Sequence, residues 1–239
     1  MTNLCDAKYK SQTPRLLYLR KDRGLAATGV KGCILVSKSH KRKRNRTGMK
    51  VVAFNGSARK DGNTAVLLQH VLAELDKEGI ETEMVQLAGK KIHGCLACRS
   101  CFARKDGRCA QKGDEGNALI DKLVAADGIL LGSPTYVTDV SPEIKALIDR
   151  ACMVTRANGG LLRRKVGAAV IAVRRAGAIH AFDTLNHFFL ISEMIIPGSS
   201  YWNIGIGQEK GDVEKDAEGL ETMQVLGRNM AWLLKKVQP

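Results

Sequence analysis

A short apolar run followed by an amphipathic stretch recurs five times between Lys50 and Lys236. Lys50–Asn55 reads as a buried strand that ends at Gly56. Asn63 is placed to cap a helix whose apolar face is Leu67, Leu68, Val71, Leu72 and Leu75, and Gly79 stops it. Glu81–Leu87 comes next as a second strand, 114–126 as a helix, and Gly128–Gly132 as a third strand. Ser141 and Pro142 open the next helix, with Ile144, Leu147, Ile148 and Ala151 facing inward. Val166–Val173 is a fourth strand and Ala178–Ser192 a helix. Met194–Ile196 is expected to start a fifth strand. A last helix from about Asp212 to Lys236 lines up Leu220, Met223, Leu226, Met230, Leu233 and Val237. Gly205 and Gly207 do not separate a strand from a helix in a βαβ unit, so that pair reads as a loop. The alternation predicts an α/β fold with a doubly wound, five-stranded parallel sheet. Ligands of such sheets sit outside the carboxyl ends of the strands, where the strand order switches.

Charge divides the chain. Residues 1–48 carry 13 Lys and Arg against 2 Asp, whereas the whole chain has a formal charge of +14. The remainder, 49–239, is therefore close to neutral, and a nucleic-acid reading rests on the extension alone. The run Lys41-Arg42-Lys43-Arg44 fits an acidic polymer or surface, or a solvated disordered tail. Met49 stands directly before the first strand, so residues 1–48 are expected to be a disordered extension or a misassigned start. No functional residue is sought there, and nucleic-acid binding is not expected. The apolar stretches Val166–Val173 and Phe188–Ile191 fall far short of the ~20 residues of a membrane span. The N-terminus, as given, has no apolar signal segment, and a soluble cytoplasmic protein is expected.

Three loops end strands at the expected switch. After the first strand runs Asn55-Gly56-Ser57-Ala58-Arg59-Lys60-Asp61-Gly62-Asn63-Thr64. Its position before a helix start, with the short donors of Ser57, Asn63 and Thr64 and the charge of Arg59, suits one terminal phosphate. It has neither the Walker A spacing nor Gly-x-Gly-x-x-Gly. The plain alternative is a βα turn with a capped helix. After the third strand, Pro134 stiffens a loop that presents Thr135, Tyr136 and Val137. After the fourth, Arg174, Arg175 and Gly177 can hold an electron-rich ring edge or a developing negative charge. Packing and a solvated turn are the alternatives for these residues. Their convergence on one crevice favours a flat aromatic ligand.

The chain has seven cysteines, and four fall in Cys95-x2-Cys98-x2-Cys101-x7-Cys109. An odd count without an export signal argues against a disulfide framework. Three thiols at intervals of three suit the corners of one compact cluster better than the paired arms of a zinc ribbon. A ferredoxin run would end in Cys-Pro, and here Ala110 comes after Cys109. Four thiolates for one [4Fe–4S] cluster is the simplest count. Zinc and structural or redox-active thiols stay open. Cys152 reads as a core residue, and His93 as a neighbour of the set. Residues 90–113 also carry seven Lys and Arg against Asp106 alone, a basic surface suited to an acidic carrier.

Gly-Ser-Ala-Arg-Lys-Asp-Gly-Asn-Thr at 56–64, Gly-Ser-Pro-Thr-Tyr-Val at 132–137 and Ile-Lys-Ala-Leu-Ile-Asp-Arg at 144–150 resemble the flavodoxin-like NADPH-dependent FMN reductase superfamily across 49–239. The resemblance implies that Ser57, Arg59, Asn63 and Thr64 hold the FMN phosphate. It implies that Pro134, Thr135, Tyr136, Val137, Arg174 and Gly177 hold the ring. With Cys95, Cys98, Cys101 and Cys109 in a loop after strand two, at 90–113, the chain looks like the iron–sulfur flavoproteins, whose compact motif spans this spacing. The resemblance therefore implies an oxidoreductase with FMN and a [4Fe–4S] cluster. It would take single electrons from a ferredoxin-type donor and pass pairs to oxygen, peroxide or a quinone. No side chain acts as a nucleophile in this scheme, and a homodimer or larger homo-oligomer is implied. The alternatives are an NAD(P)H-dependent FMN or quinone reductase with a zinc or structural cysteine loop, and a flavin-bound sensor with a nucleic-acid-contacting tail.

Overall fold

A computed structural model describes residues 48–237. Expectations for the basic extension, with Cys5 and Cys33, therefore lie outside the described residues. The strands are β1 (Lys50–Asn55), β2 (Glu81–Gln86), β3 (Gly128–Pro134), β4 (Val166–Val173) and β5 (Ile204–Ile206). The helices are α1 (Asn63–Lys77), α2 (Ser100–Arg104), α3 (Gly116–Ala125), α4 (Pro142–Ala157), α5 (Ala178–Ile191) and α6 (Ala217–Val237). The sheet is five-stranded and parallel, in the order β2-β1-β3-β4-β5. The order reverses between β1 and β3, which places the switch at Asn55 and Pro134.

Strand side chains alternate between two cores. Val52, Phe54, Ile129 and Leu131 face α3, α4 and α5. Val51, Ala53 and Leu130 face α1 and α6. Covering both faces is what lets β3 and β4 be apolar throughout. Fully burying one Leu or Phe contributes about 1.5–3 kcal/mol, so these two layers dominate the stability of the sheet.

Four sequence expectations are corrected. The fifth strand is Ile204–Ile206, not Met194–Ile196. Ile195 makes only an isolated bridge to Val166, and Pro197, which lacks an N–H, comes two residues later. The glycines that made Ile204–Ile206 look like a loop are there for space. A Cβ on Gly205 would lie 2.6 Å from Leu67 Cδ2, and one on Gly207 would lie 2.7 Å from the Val213 nitrogen. Asn63 does not cap α1; Gly62 is the cap residue and makes no side-chain capping bond. The last helix is split, because Asp212–Lys215 is a 3-10 turn and α6 starts at Ala217. Asp216 holds the break by accepting from the N–H groups of Ile206 at 2.7 Å and Gly219 at 3.0 Å.

Candidate functional site

The loop after β1 is fixed from below. Gly56 N–H donates to Gly132 O at 2.8 Å, and a Cβ on Gly56 would sit 2.2 Å from Ile144 Cγ1 and 2.8 Å from Ser141 Oγ. Close approach, not dihedral freedom, requires glycine there. Asn55 Oδ1 accepts from Ser57 N–H at 3.1 Å. The Asn55 amide donates to Gln86 Oε1 at 2.7 Å, and the Gln86 amide donates to Ser57 O at 2.7 Å. Ser57 Oγ accepts from Arg59 N–H at 3.1 Å. Ser57 and Thr64 are buried and Arg59 is exposed. The uncapped first turn of α1 leaves N–H groups for an outside acceptor, which fits an anion such as a phosphate. The Asn63 side chain is engaged by the segment after β5. Its amide donates to Glu209 O at 2.9 Å and its Oδ1 accepts from Gly211 N–H at 2.9 Å, tying the segment after β5 to α1.

The loop after β3 is anchored by Thr135 N–H donating to Ala172 O at 2.9 Å. Thr135 Oγ1 is buried with no partner among the described residues, as expected of a group that meets a polar ligand edge. Tyr136 and Asp139 exchange backbone hydrogen bonds of 2.8 and 3.0 Å around Val137 (φ 48°) and Thr138 (φ 65°). Two β-branched residues at positive φ are strained, at roughly 1–3 kcal/mol each. The turn leaves Val137 at 99% exposure. Asp139 supports it by accepting from Val140 N–H at 2.7 Å and Thr184 Oγ1 at 2.9 Å. Burial pushes its carboxyl up, but those bonds and the charges of His180 and Lys145 leave it below the ordinary range. The loop after β4 lies alongside: Gly177 has φ 84°, and a Cβ there would lie 2.9 Å from Thr138 Cγ2. Arg174 and Arg175 are exposed. The three loops are thus linked in series at the switch.

The cysteine loop is held on the α4 side. Cys95, Cys98, Cys101 and Cys109 line one cavity together with Arg150, Met153 and Val154. The empty space among them is about 320 Å³, part of it open to solvent. Left-handed backbone at Ala97 (φ 51°) and Arg99 (φ 57°) turns the chain between successive thiols. Cys101 is buried, and its thiol donates to Met153 O at 3.7 Å. Asn117 pins the last thiol: its Oδ1 accepts from Cys109 N–H at 2.8 Å and its amide donates to Cys109 O at 3.1 Å. The Ser100 hydroxyl and N–H, with the Arg104 charge, lower the Cys98 pKa, whereas burial raises that of Cys101. All the cysteines among the described residues are free thiols. Among those residues, no three His, Cys, Asp or Glu converge as ligands of one metal ion. A zinc site would need thiolates within roughly 4 Å of one another, since each Zn–S bond is ≈ 2.3 Å. His93 contributes its backbone rather than its ring: its N–H donates to Asp114 Oδ2 at 3.0 Å and its carbonyl accepts from Arg150. Cys152 is half-buried and packs at the edge of the core.

Residues 49–209, more than half of the chain, match the family described as NADPH-dependent FMN reductase. An iron–sulfur flavoprotein of Methanocaldococcus jannaschii is 38% identical over 197 residues, covering 80% of this chain and 100% of that protein. The chain belongs to the iron–sulfur flavoproteins of the NADPH-dependent FMN reductase family. It is a flavin-dependent oxidoreductase. An iron–sulfur flavoprotein of Methanosarcina thermophila is 28% identical over 80% of the chain and 97% of its own length. Two solved structures share the fold. RosB, with bound 8-demethyl-8-formylriboflavin-5'-phosphate, has a TM-score of 0.66 at 19% identity, covering 80% of this chain and 81% of RosB. The WrbA-like flavodoxin of Agrobacterium tumefaciens has a TM-score of 0.57 at 14% identity, covering 80% and 100%.

Sequence reasoning missed three parts of this flavoprotein's site. Gln86 is a polar residue at the end of an otherwise ordinary strand. The Val137–Thr138 turn lacks the glycine or asparagine that normally signals positive φ. Arg150 and Asp114 form an ion pair with side chains 0% and 1% exposed. An Arg on the inward stripe of α4 was the available sign of that pair.

Proposed function

We propose that this chain moves electrons from an acidic ferredoxin-type carrier, one at a time, to a small acceptor that takes two: oxygen, peroxide or a quinone. When bound, FMN and a [4Fe–4S] cluster supply the two-electron and one-electron redox chemistry. The chain's own residues bind and orient. The first-turn N–H groups of α1, Ser57, Thr64 and the Arg59 charge would receive the flavin phosphate. Thr135 and Tyr136, on the strained turn, would meet the ring, with Pro134 and Val137 giving it apolar cover. Arg174 and Gly177 would close the other edge. Cys95, Cys98, Cys101 and Cys109 would be the cluster ligands. The observation that carries this reading is that these four thiols line one cavity in a chain whose strand ends form a switch-point site. The names of the relatives support it.

A homodimer or larger assembly belongs to the same reading. Phe182, Tyr201 and Trp202 form an aromatic group, with Tyr201 and Trp202 exposed, and an assembly would cover it.

Anaerobic purification and then iron, sulfide and flavin analysis test the proposal. About four irons and one FMN per chain are expected for a single cubane, with an EPR signal after dithionite. The family's own description favours a second reading, direct reduction by NADPH. Flavin reduction by NADPH alone, in protein lacking iron, would establish that one instead.

A further inference from the structure

Arg150 lies on α4 behind the cysteine loop, and it is among the largest fully buried side chains of the protein. Its Nη1 pairs with Asp114 Oδ2 and donates to His93 O at 3.3 Å. Its Nε and Nη2 are buried and have no partner among the described residues. Room for the guanidinium is kept by Gly116: a Cβ there would lie 2.3 Å from Nη1 and 2.7 Å from Nη2. Burying a guanidinium with two nitrogens unsatisfied is costly, and buried donors are almost always met. The same side chain lines the cavity shared by Cys95, Cys98, Cys101 and Cys109, whose other walls include Leu96, Met153 and Val154. Four cysteine sulfurs and the Gln111 amide are the side-chain acceptors on its lining, and the sulfurs are the ones that gain negative charge on binding a metal core.

We infer that Arg150 is the cluster's buried hydrogen-bond donor and counter-charge, giving N–H···S bonds from the two nitrogens that the protein leaves free. This rests on the proposed reading of the four cysteines as cluster ligands. Thiolates on an iron–sulfide core carry net negative charge, and one electron from the donor adds another. A fixed cation with oriented N–H groups stabilises that extra charge and raises the reduction potential. Arginine suits the task better than lysine. Its planar fork lets Nη1 serve Asp114 and His93 while other nitrogens point elsewhere, and it stays charged when buried.

The sign of the effect separates this role from a merely structural one. Losing the cation and its donors makes the cluster harder to reduce. Loosening the loop lets water in, which favours the more charged reduced state and makes it easier to reduce. The experiment is an EPR-monitored redox titration of the anaerobically purified protein, with iron and sulfide counted in each variant. Arg150→Gln is expected to retain its iron and to lower the reduced-to-oxidised ratio at a fixed potential at least tenfold, a negative shift of about 59 mV for one electron. Arg150→Lys should fall between that and the wild type. The double variant Arg150→Met with Asp114→Asn removes both charges without stranding either. It should also shift negative, and it carries the test if Arg150→Gln does not fold. An unchanged or positive shift in variants that keep the cluster overturns the Arg150 assignment alone. A wild-type protein without iron overturns the reading of the cysteines, and this inference with it.

Discussion

The Asp114 carboxylate lies against the Arg150 guanidinium, out of contact with water. Burial alone would raise its pKa, but Arg150 and the N–H groups of His93 and Gly116 reverse the shift, so the folded value lies below the ordinary 3.8. A depressed carboxylate contributes stability that is complete above its unfolded pKa and is lost as pH falls through the folded value. Asp114→Asn leaves a buried charge unpaired, so the variant should lose about 3–5 kcal/mol at pH 7. Its denaturant stability should also fall less steeply than that of the wild type as pH drops below about 4. Equal acid slopes in the two proteins would mean that Asp114 does not contribute this pH dependence. A second residue works by space alone. Ala at Gly56 would press on Ile144 and shift the loop proposed to receive the flavin phosphate. Gly56→Ala should weaken FMN binding at least tenfold, or about 1.4 kcal/mol, in a fluorescence titration. Ile144→Ala added to it should recover part of the loss.

At the scale of elements, the turn between β3 and α4 shows where strain is kept. Val137 and Thr138 hold positive φ, and Val137 packs against nothing in the described chain. Glycine there relieves the backbone but frees the loop. Val137→Gly should raise the stability of flavin-free protein by about 1 kcal/mol while weakening flavin binding several-fold. Urea unfolding and flavin titration measure the two effects, and parallel changes would argue against a poised turn. The same kind of long-range contact limits what a sequence can reveal. Strands β1, β3 and β4 were legible because both of their faces are covered, so their apolar runs are continuous. The helices were legible because each buries one stripe. Strand β5 was not, because Gly205 and Gly207 answer to Leu67 and Val213, and Leu67 is remote in the chain. Asn63 misled for a similar reason. A capping residue type in a capping position serves instead the segment after β5, a contact that no local pattern records. The cysteine spacing announced a shared site, yet α2 and the left-handed residues that turn the loop were invisible in it.

Across the whole molecule, charge lies in two places, the extension and the cysteine loop. A chain beginning at Met49 should keep its flavin, iron and activity, which would set aside the sensor reading. The loop is less basic in the fold than its composition implies. Lys90 pairs with Glu115, Arg104 with Asp106 and Arg108 with Asp121. Lys91, Lys105 and Lys112 are exposed and form no ion pair among the described residues. These cations share the loop with the thiols, and on the proposed function they would meet an acidic carrier. Such steering acts through solvent and weakens as the Debye length shrinks from ≈ 30 Å at 0.01 M salt to ≈ 8 Å at 0.15 M. Reduction by an acidic ferredoxin, measured by stopped flow, should therefore slow about tenfold or more over that range. Lys105→Glu with Lys112→Glu should reproduce the loss at low salt and flatten the salt dependence, because the reversed charges cancel the attraction that salt screens. Dithionite, which needs no docking surface, should reduce both proteins at similar rates. A wild-type rate that ignores salt would mean that the carrier docks elsewhere or is not acidic, leaving the basic loop to act on the cluster alone.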